Sequence, residues 1–310
     1  MNAIYTNQST RENLDLLYAQ ACLYDRVKLW NRINFYLSVI LPLILSAGAA
    51  YNRRLGLIDT ELLSSFLGLY GLVILAFNIA LSAHVSGLRK TAASVQEMYD
   101  CRVLGIRRNE LKVEDVPKDD ISRAASCFNL RPEKAVRRFG KEGWYVSKVY
   151  DAPQPVMALL CHGKNLGWDR SLRKILSRGY LAAVIIVPVA ILVYGMAMKS
   201  GLNEVLFYIV FVLPIIRYFL LQFMDNRGSI KRSEKLKKYI ERELSSVKVS
   251  GRVDNESLDY TLRNIQDEIF SYRVSCPPVP NGIQRMLKTG NERIYEDYFE
   301  VNLKELHLQD

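Results

Sequence analysis

The sequence predicts a mainly α-helical membrane protein in which four transmembrane helices form two hairpins. A mostly helical cytoplasmic domain is built from the middle segment and the C-terminal tail. Four apolar runs of about 18 to 24 residues contain no acidic side chain and can each cross a hydrocarbon core of roughly 30 Å. Short breaks join the first two and the last two runs, whereas about ninety mostly polar residues separate the second from the third. The predicted spans are residues 33–50, 62–85, 179–198 and 205–224.

Basic residues concentrate outside the spans, which predicts the orientation of the chain. Arg26, Lys28 and Arg32 precede span one, and a similar basic group precedes span three. Cytoplasmic flanks of membrane helices carry an excess of Lys and Arg, so both termini and the middle segment are predicted to be cytoplasmic. The predicted division is a cytoplasmic N-terminal helix (1–32), a first transmembrane hairpin (33–86), the first part of the cytoplasmic domain (87–178), a second hairpin (179–224) and a C-terminal helical part (225–310).

Charge and cysteine content restrict the partners of the chain. The net charge of +10 favours anionic partners, which include both anionic lipid and a nucleotide. All five cysteines fall in segments predicted to be cytoplasmic, where thiols stay reduced, and no two form a CxxC pair. We therefore expect neither a disulfide nor a metal site.

The sequence contains no recognisable catalytic motif. Neither a phosphate-binding loop, nor a zinc-protease motif, nor a nucleophile elbow is present, and the three histidines lie in different regions. We predict no catalytic residue, no metal and no cofactor. An alternative is a membrane-anchored enzyme whose site is assembled from Asp100, Asp169 and His162.

Two cytoplasmic stretches interleave cations with aromatic rings, the combination that a nucleotide requires for its phosphates and bases. A solvated cationic face beside the inner leaflet is the alternative interpretation of the same residues. No binding of a DNA or RNA polymer is predicted. The candidate ligand-binding residues are Arg137, Arg138, Lys141, Trp144, Tyr145, Arg263, Tyr272 and Arg273.

The stretch "CHGKNLGWDR" at 161–170 predicts a junction between the cytoplasmic domain and span three. Trp168 suits a membrane interface, and Asp169 is expected to cap the helix that enters the span. Two polar residues inside spans, Asn78 and Arg217, are the candidate pore-lining side chains, although Arg217 can also snorkel to the headgroups. Small residues in span two, among them Gly68, favour close packing of helices and hence a homo-oligomer.

Four stretches resemble, in order and in placement around the two hairpins, the SMODS-associating four-transmembrane effector family. The resemblance covers nearly the whole chain and includes a QE-x-[FY]-D element after span two, a C-x-x-x-N-x-x-W-D element before span three and an IQDEI-like helix. The chain departs from the pattern at Arg108 and at His162–Gly163. The stretches are "NLDLLYAQACLYDRVK" (13–28), "AASVQEMYDCRVLGIRRN" (92–109), "ALLCHGKNLGWDRSLRK" (158–174) and "LRNIQDEIFSYRVSCPPVP" (262–280), with Gln96, Glu97, Tyr99, Asp100, Cys161, Asn165, Trp168 and Asp169 as motif positions.

The resemblance implies an effector of a cyclic-oligonucleotide-based antiphage signalling system (CBASS) in the bacterial inner membrane. The product of a cognate cyclic GMP-AMP synthase-like nucleotidyltransferase would bind the cytoplasmic part, and the spans would permeabilise the membrane, which stops growth or kills the infected cell. Asn165, Trp168 and Asp169 are then expected to couple ligand binding to span three. The alternatives are an ion channel or small transporter that no nucleotide gates, and a pore that the nucleotide holds closed.

Overall fold

The computed structural model describes residues 3–45, 48, 51, 59–140, 144–197, 199 and 201–307. In this part of the chain, the regular structure is helical and no β-strand is present. The elements are α1 (Ala3–Asn7), α2 (Arg11–Phe35), a π-helical turn (Tyr36–Ile40), α3 (Thr60–Leu104), α4 (Lys118–Asn129), α5 (Pro132–Phe139), α6 (Gln154–Ala197), α7 (Leu202–Ser250), α8 (Asn255–Ser275) and α9 (Asn281–His307).

Three helices are much longer than a membrane span. Helices α3, α6 and α7 contain 45, 44 and 49 residues, so each continues without interruption from a predicted span into a predicted cytoplasmic segment. The stretch 161–170 consequently lies inside α6, and the prediction that Asp169 caps a helix was wrong. Its two glycines do not end the helix because each packs against a tyrosine ring of α9, Gly163 against Tyr298 and Gly167 against Tyr295.

Two described helical segments are long and apolar enough to cross a membrane. They are Gly68–Leu104 of α3 and Gln154–Ala197, the whole of α6. Only 11% and 6% of their apolar windows are buried, whereas the core helix of a soluble protein would be mostly covered. Spans one and four remain predictions, and residues 46, 47, 49 and 50 of span one lie outside the described residues.

The chain forms two compact units. Unit 1 comprises Met1–Arg26, Leu88–Lys174 and Gly228–Asp310, and unit 2 comprises Val27–Gly87 and Ile175–Arg227. The division into two units does not define a membrane surface, so the predicted domain boundaries remain predictions.

The core of unit 1 is built around the first turns of α6. All six side chains from Val156 to Cys161 are 0% exposed, so this part of the helix is covered on every side. The buried face of α8 supplies Leu262, Ile265 and Ile269 at helical spacing, as its amphipathic pattern predicts. Gly105 ends α3 with a positive φ of 68°, and the Ile106 amide donates to the Cys101 carbonyl, a Schellman termination that turns the chain back toward this core.

The cysteines differ from expectation at one pair. Cys22 of α2 and Cys127 of α4 are joined in a disulfide, although 105 residues separate them in the sequence. The packing of α4 onto α2 brings their Cα atoms to 6.7 Å, which spacing along the chain does not reveal. The expectation of reduced thiols throughout was therefore wrong for this pair, and the other three cysteines are free and buried.

Candidate functional site

Two carboxylates near the end of α3 are buried inside unit 1. The side chains of Glu97 and Asp100 are 0% and 1% exposed. They lie one helical turn apart, so both face the same neighbour, α8. A buried carboxylate is costly unless cations and hydrogen-bond donors surround it, and α8 provides both.

Glu97 is held by two side chains of α8. The Arg263 guanidinium donates to Glu97 Oε1 at 2.7 Å and, through the same nitrogen, to Asp267 Oδ1 at 2.7 Å. Gln266 Nε2 donates to the other oxygen of Glu97 and, at 3.2 Å, to Asp100 Oδ2. Burial raises the pKa of Glu97, and the hydrogen bond from Arg263 opposes that rise. Gln266 thus links the two carboxylates into one network.

Asp100 connects α3 to α8 and to the loop before α6. Arg273 forms an ion pair with Asp100 Oδ2, and the Tyr145 hydroxyl donates to Asp100 Oδ1 at 2.5 Å. The Tyr145 ring stacks on Tyr99 with a centroid separation of 5.9 Å. Burial raises the pKa of Tyr145, so its hydroxyl stays a hydrogen-bond donor.

Gln8, which follows α1, holds the same loop in place. Its side-chain nitrogen donates to the Val146 carbonyl at 2.7 Å, and its oxygen accepts from the Tyr145 amide at 2.9 Å. Gln8 is 0% exposed, so these bonds are shielded from water. Gln8 was not predicted from the sequence, because a single glutamine in a polar segment forms no pattern that indicates a role.

His162 lies beside the network but forms no bond with it. The residue is 0% exposed, and neither ring nitrogen has a hydrogen-bond partner in the described part of the chain. Burial lowers the pKa of His162 to about 4, against the opposing effect of Asp100. The imidazole is therefore neutral at pH 7, and its two polar atoms remain unsatisfied in this conformation.

The C-x-x-x-N-x-x-W-D element contributes a second polar cluster about two turns further along α6, around Asp169. Asp169 accepts from Arg173 Nε at 2.6 Å and from the Tyr272 hydroxyl of α8. Arg173 also donates to the Pro277 carbonyl at 3.1 Å, and its side chain is only 4% exposed. Trp168 stacks on Tyr295 of α9 with a centroid separation of 6.3 Å. These contacts tie α6 to α8, to the segment that follows α8 and to α9.

The structure places the candidate ligand-binding residues in two groups. Tyr145, Arg263, Tyr272 and Arg273 point into the buried clusters, where acidic partners engage them. Arg137 is exposed on α5, and Trp144 is half-buried with its ring edge against Phe139. Arg138 is paired with Asp25 at 2.5 Å, and Lys141 lies outside the described residues. As a set they do not converge on one open surface.

The remaining predicted residues divide between the two units. Asn165 of unit 1 has a buried side-chain nitrogen for which the described residues offer no hydrogen-bond partner. In unit 2, Asn78 is half-buried and lies 3.1 Å from the Ser38 hydroxyl of the π-helical turn, which can accept from Asn78 Nδ2 or donate to Asn78 Oδ1. Arg217 is exposed on α7. A pore-lining role for Asn78 and Arg217 remains a prediction.

Three residues, Asp100, Asp169 and His162, belong to the alternative of an assembled catalytic site. The two most buried candidates for catalysis, Asp100 and His162, face protein on all sides. Among the described residues, no group of three His, Cys, Asp or Glu side chains could hold a metal ion. The clusters join α3, α6 and α8 through buried charged groups. Each of these groups loses the charge that compensates it if its partner moves away.

Comparison with known proteins supports the same family as the motifs. The model of the "SMODS-associating 4TM effector domain" family matches residues 2–300. A curated relative, a probable CBASS effector molecule of Bacillus cereus (strain VD146), is 23% identical over 303 residues, which cover 96% of this chain and 96% of the relative. No solved structure matches. Because the family model spans nearly the whole sequence, the chain belongs to the SMODS-associating four-transmembrane effector family.

Proposed function

We propose that this protein is an antiphage effector that senses a cyclic oligonucleotide through unit 1 and permeabilises the inner membrane through its spans. The family and its CBASS relative support the effector role. The messenger would come from a cognate cyclic GMP-AMP synthase-like nucleotidyltransferase. The proposal includes no catalytic step, and it places both termini of a multi-pass, homo-oligomeric protein in the cytoplasm.

One structural observation carries the proposal. Helices α3 and α6 are the two described helices that can span a membrane, and the same two helices carry the motif residues of the buried clusters. Glu97 and Asp100 lie near the C-terminal end of α3, after predicted span two, and His162 and Asp169 lie before predicted span three in α6. A rearrangement of the clusters would therefore act on the membrane helices directly, with no flexible linker between them.

The energetic requirement is that the ligand binds one arrangement of unit 1 better than the other, because only a difference in affinity shifts the equilibrium. The imidazole of His162 and the side-chain nitrogen of Asn165 have no hydrogen-bond partner among the described residues. An arrangement of unit 1 that gave these atoms partners would recover part of the cost of burying them.

Dye release from liposomes that contain the full-length protein tests the proposal. The vesicles are titrated with cyclic di-GMP, cyclic di-AMP, 3′,3′-cyclic GMP-AMP and cyclic tri-AMP. We expect leakage that saturates with one of these compounds. If one of these compounds instead suppresses leakage, the protein still senses the nucleotide, but the nucleotide closes the pore rather than opening it. Flat leakage from folded, inserted protein would refute nucleotide gating and favour an ungated channel.

The coupling role of Trp168 is tested in the same vesicles. Trp168→Ala removes the stack on Tyr295, so we expect ligand binding to persist while ligand-dependent leakage falls. Tyr260→Ala is the matched control, because Tyr260 is an aromatic residue of unit 1 that is 73% exposed. If Trp168→Ala leaves both binding and leakage at the control level, Trp168 does not couple them.

A further inference from the structure

We infer that a groove between α6 and α7 binds a phosphodiester anion, an inference that depends on the proposed function for its nucleotide source. The groove is open to solvent, with a volume of about 260 Å³. This is room for one phosphodiester and an attached sugar, with the rest of a ligand lying across the open rim. Three cations and two carboxylates line it: Arg170, Lys237, Lys238, Glu234 and Glu241.

The cations of the groove are already arranged around an anion. Arg170 donates through Nε and Nη2 to Glu234 Oε1 at 2.9 and 2.8 Å, and Lys174 lies 3.6 Å from the same oxygen. Lys237 lies 3.5 Å from Glu241. A phosphodiester carries the same single charge as a carboxylate and also offers two acceptor oxygens to a guanidinium fork. The side chains of Arg170 and Glu234 are about one third exposed, so their pairing is weak enough for an incoming anion to replace it.

The groove carries more positive than negative charge. Lys238 is exposed, and no carboxylate of the described residues lies within ion-pair distance of its ammonium group. With Lys174, which pairs with Glu234, four cations face two carboxylates, so the groove keeps a net positive charge for an incoming anion.

An aromatic ring lies beside the groove. The Lys237 ammonium lies 5.5 Å from the centre of the Tyr298 ring. The Tyr298 hydroxyl is buried against Gly163 of α6 and does not line the groove, so it is not a donor to the ligand. The ring helps to fix the position of Lys237 beside Glu241.

Binding at this groove would alter the link between two long helices. The pairs of Arg170 and Lys174 with Glu234 join α6 to α7, which contain predicted spans three and four. A phosphodiester that takes over Arg170 releases Glu234, whereas the bond from Ser233 Oγ to the Leu166 carbonyl is unaffected. The ligand would thus replace an interhelical ion pair with a contact to itself.

Substitutions in the full-length protein test the groove. Lys238→Gln should weaken the binding of the cyclic nucleotides named above about ten- to hundredfold, the loss expected for one charge-assisted hydrogen bond. Glu234→Gln should tighten binding, because the competing carboxylate is gone. Lys235→Gln is the matched control, since Lys235 is an exposed lysine on the same helix that does not line the groove. Unchanged affinity in both groove variants would overturn the inference.

Footprinting of the wild-type protein gives a test without substitutions. Acetylation of Lys238 and Lys235 is measured by mass spectrometry with each cyclic nucleotide, and in phosphatidylcholine vesicles with and without phosphatidylglycerol. Selective protection of Lys238 by a nucleotide makes the groove the sensing site. Selective protection by phosphatidylglycerol alone makes a lipid headgroup the ligand of the groove. That result would refute nucleotide sensing at this site but keep the groove as an anion-binding site. If a nucleotide triggers leakage but neither ligand protects Lys238, the groove is wrong and the proposed function survives.

Discussion

The ion pair between Asp100 and Arg273 gives the sharpest test of the buried network. In Asp100→Ala, the Arg273 guanidinium would lose its carboxylate while its side chain remains only 11% exposed. The hydroxyl of Tyr145 would lose its acceptor as well. Removing one partner of a buried pair costs about 3–5 kcal/mol, because the remaining charge is left uncompensated. Since unit 1 contains about 200 residues, this corresponds to a fall in melting temperature of roughly 6 to 20 °C.

A double variant separates the pair from its surroundings. Arg273→Met alone should destabilise the protein to a similar extent, because it leaves the Asp100 carboxylate buried without its cation. Asp100→Ala combined with Arg273→Met should cost clearly less than the sum of the two single changes, with a coupling of about 1–3 kcal/mol. The control is Glu268→Ala, which removes an exposed carboxylate of α8 and should change stability by about 0.5 kcal/mol or less.

Melting is followed by intrinsic fluorescence of the detergent-solubilised protein, with retention of helicity checked by circular dichroism. A loss of less than about 2 °C in Asp100→Ala would mean that water reaches the guanidinium, since a solvated charge does not need its partner. Strictly additive effects in the double variant would show that the two groups act separately. Either result would refute the description of this network as one in which each buried charge depends on its partner.

Two further predictions concern α6. Lowering the pH from 7 to 5 should destabilise the protein by up to about 2 kcal/mol through His162, because the imidazole binds a proton near pH 6.5 when unfolded, whereas burial lowers its folded pKa to about 4. His162→Phe should reduce this loss of stability. Equal acid sensitivity of both proteins in urea unfolding would contradict the assignment to His162. Gly167→Ala should destabilise the protein by about 1–3 kcal/mol, because the new methyl group would overlap Tyr295. Gly228→Ala has open space at its Cβ position and should stabilise the protein by up to about 1 kcal/mol. Comparable melting temperatures of the two variants would show that α9 can shift away from Gly167.

Local signals accounted for the helices well. Residues 132–139 have a pattern that predicts a short helix, and they form α5. The amphipathic pattern of residues 259–272 also predicts a helix, and it lies within α8. The pattern at 88–99 predicts a helix that continues from span two, and this is confirmed because these residues form the end of α3. The charged helix predicted at 233–247 also exists, but it is the end of α7 rather than a separate element. Their junctions with the apolar runs contain no proline, so nothing local stops the helix, and the change in hydropathy marks a change of solvent instead.

Residue roles were harder to predict than helices. Arg263 and Arg273 were expected to be free for an anionic ligand, yet the fold pairs them with Glu97 and Asp100 from more than 160 residues away in the sequence. Asp169 was expected at a helix start and lies inside α6, where it accepts from Tyr272. Sequence shows which residues carry charge, but whether a cation meets solvent or a carboxylate depends on the distant segment that packs against it.

The sequence by itself determined the helical class, the apolar runs and the family, because these follow from composition, periodicity and ordered motifs that are local properties of the chain. The tertiary structure decided which motif residues meet: the QE-x-[FY]-D carboxylates with the arginines flanking IQDEI, Trp168 with Tyr295, and Cys22 with Cys127. It also left the Lys237–Lys238 groove open on the surface while closing the network around His162. The physical reason is that burial and charge pairing are properties of contacts between remote segments, and only the packed helices create those contacts.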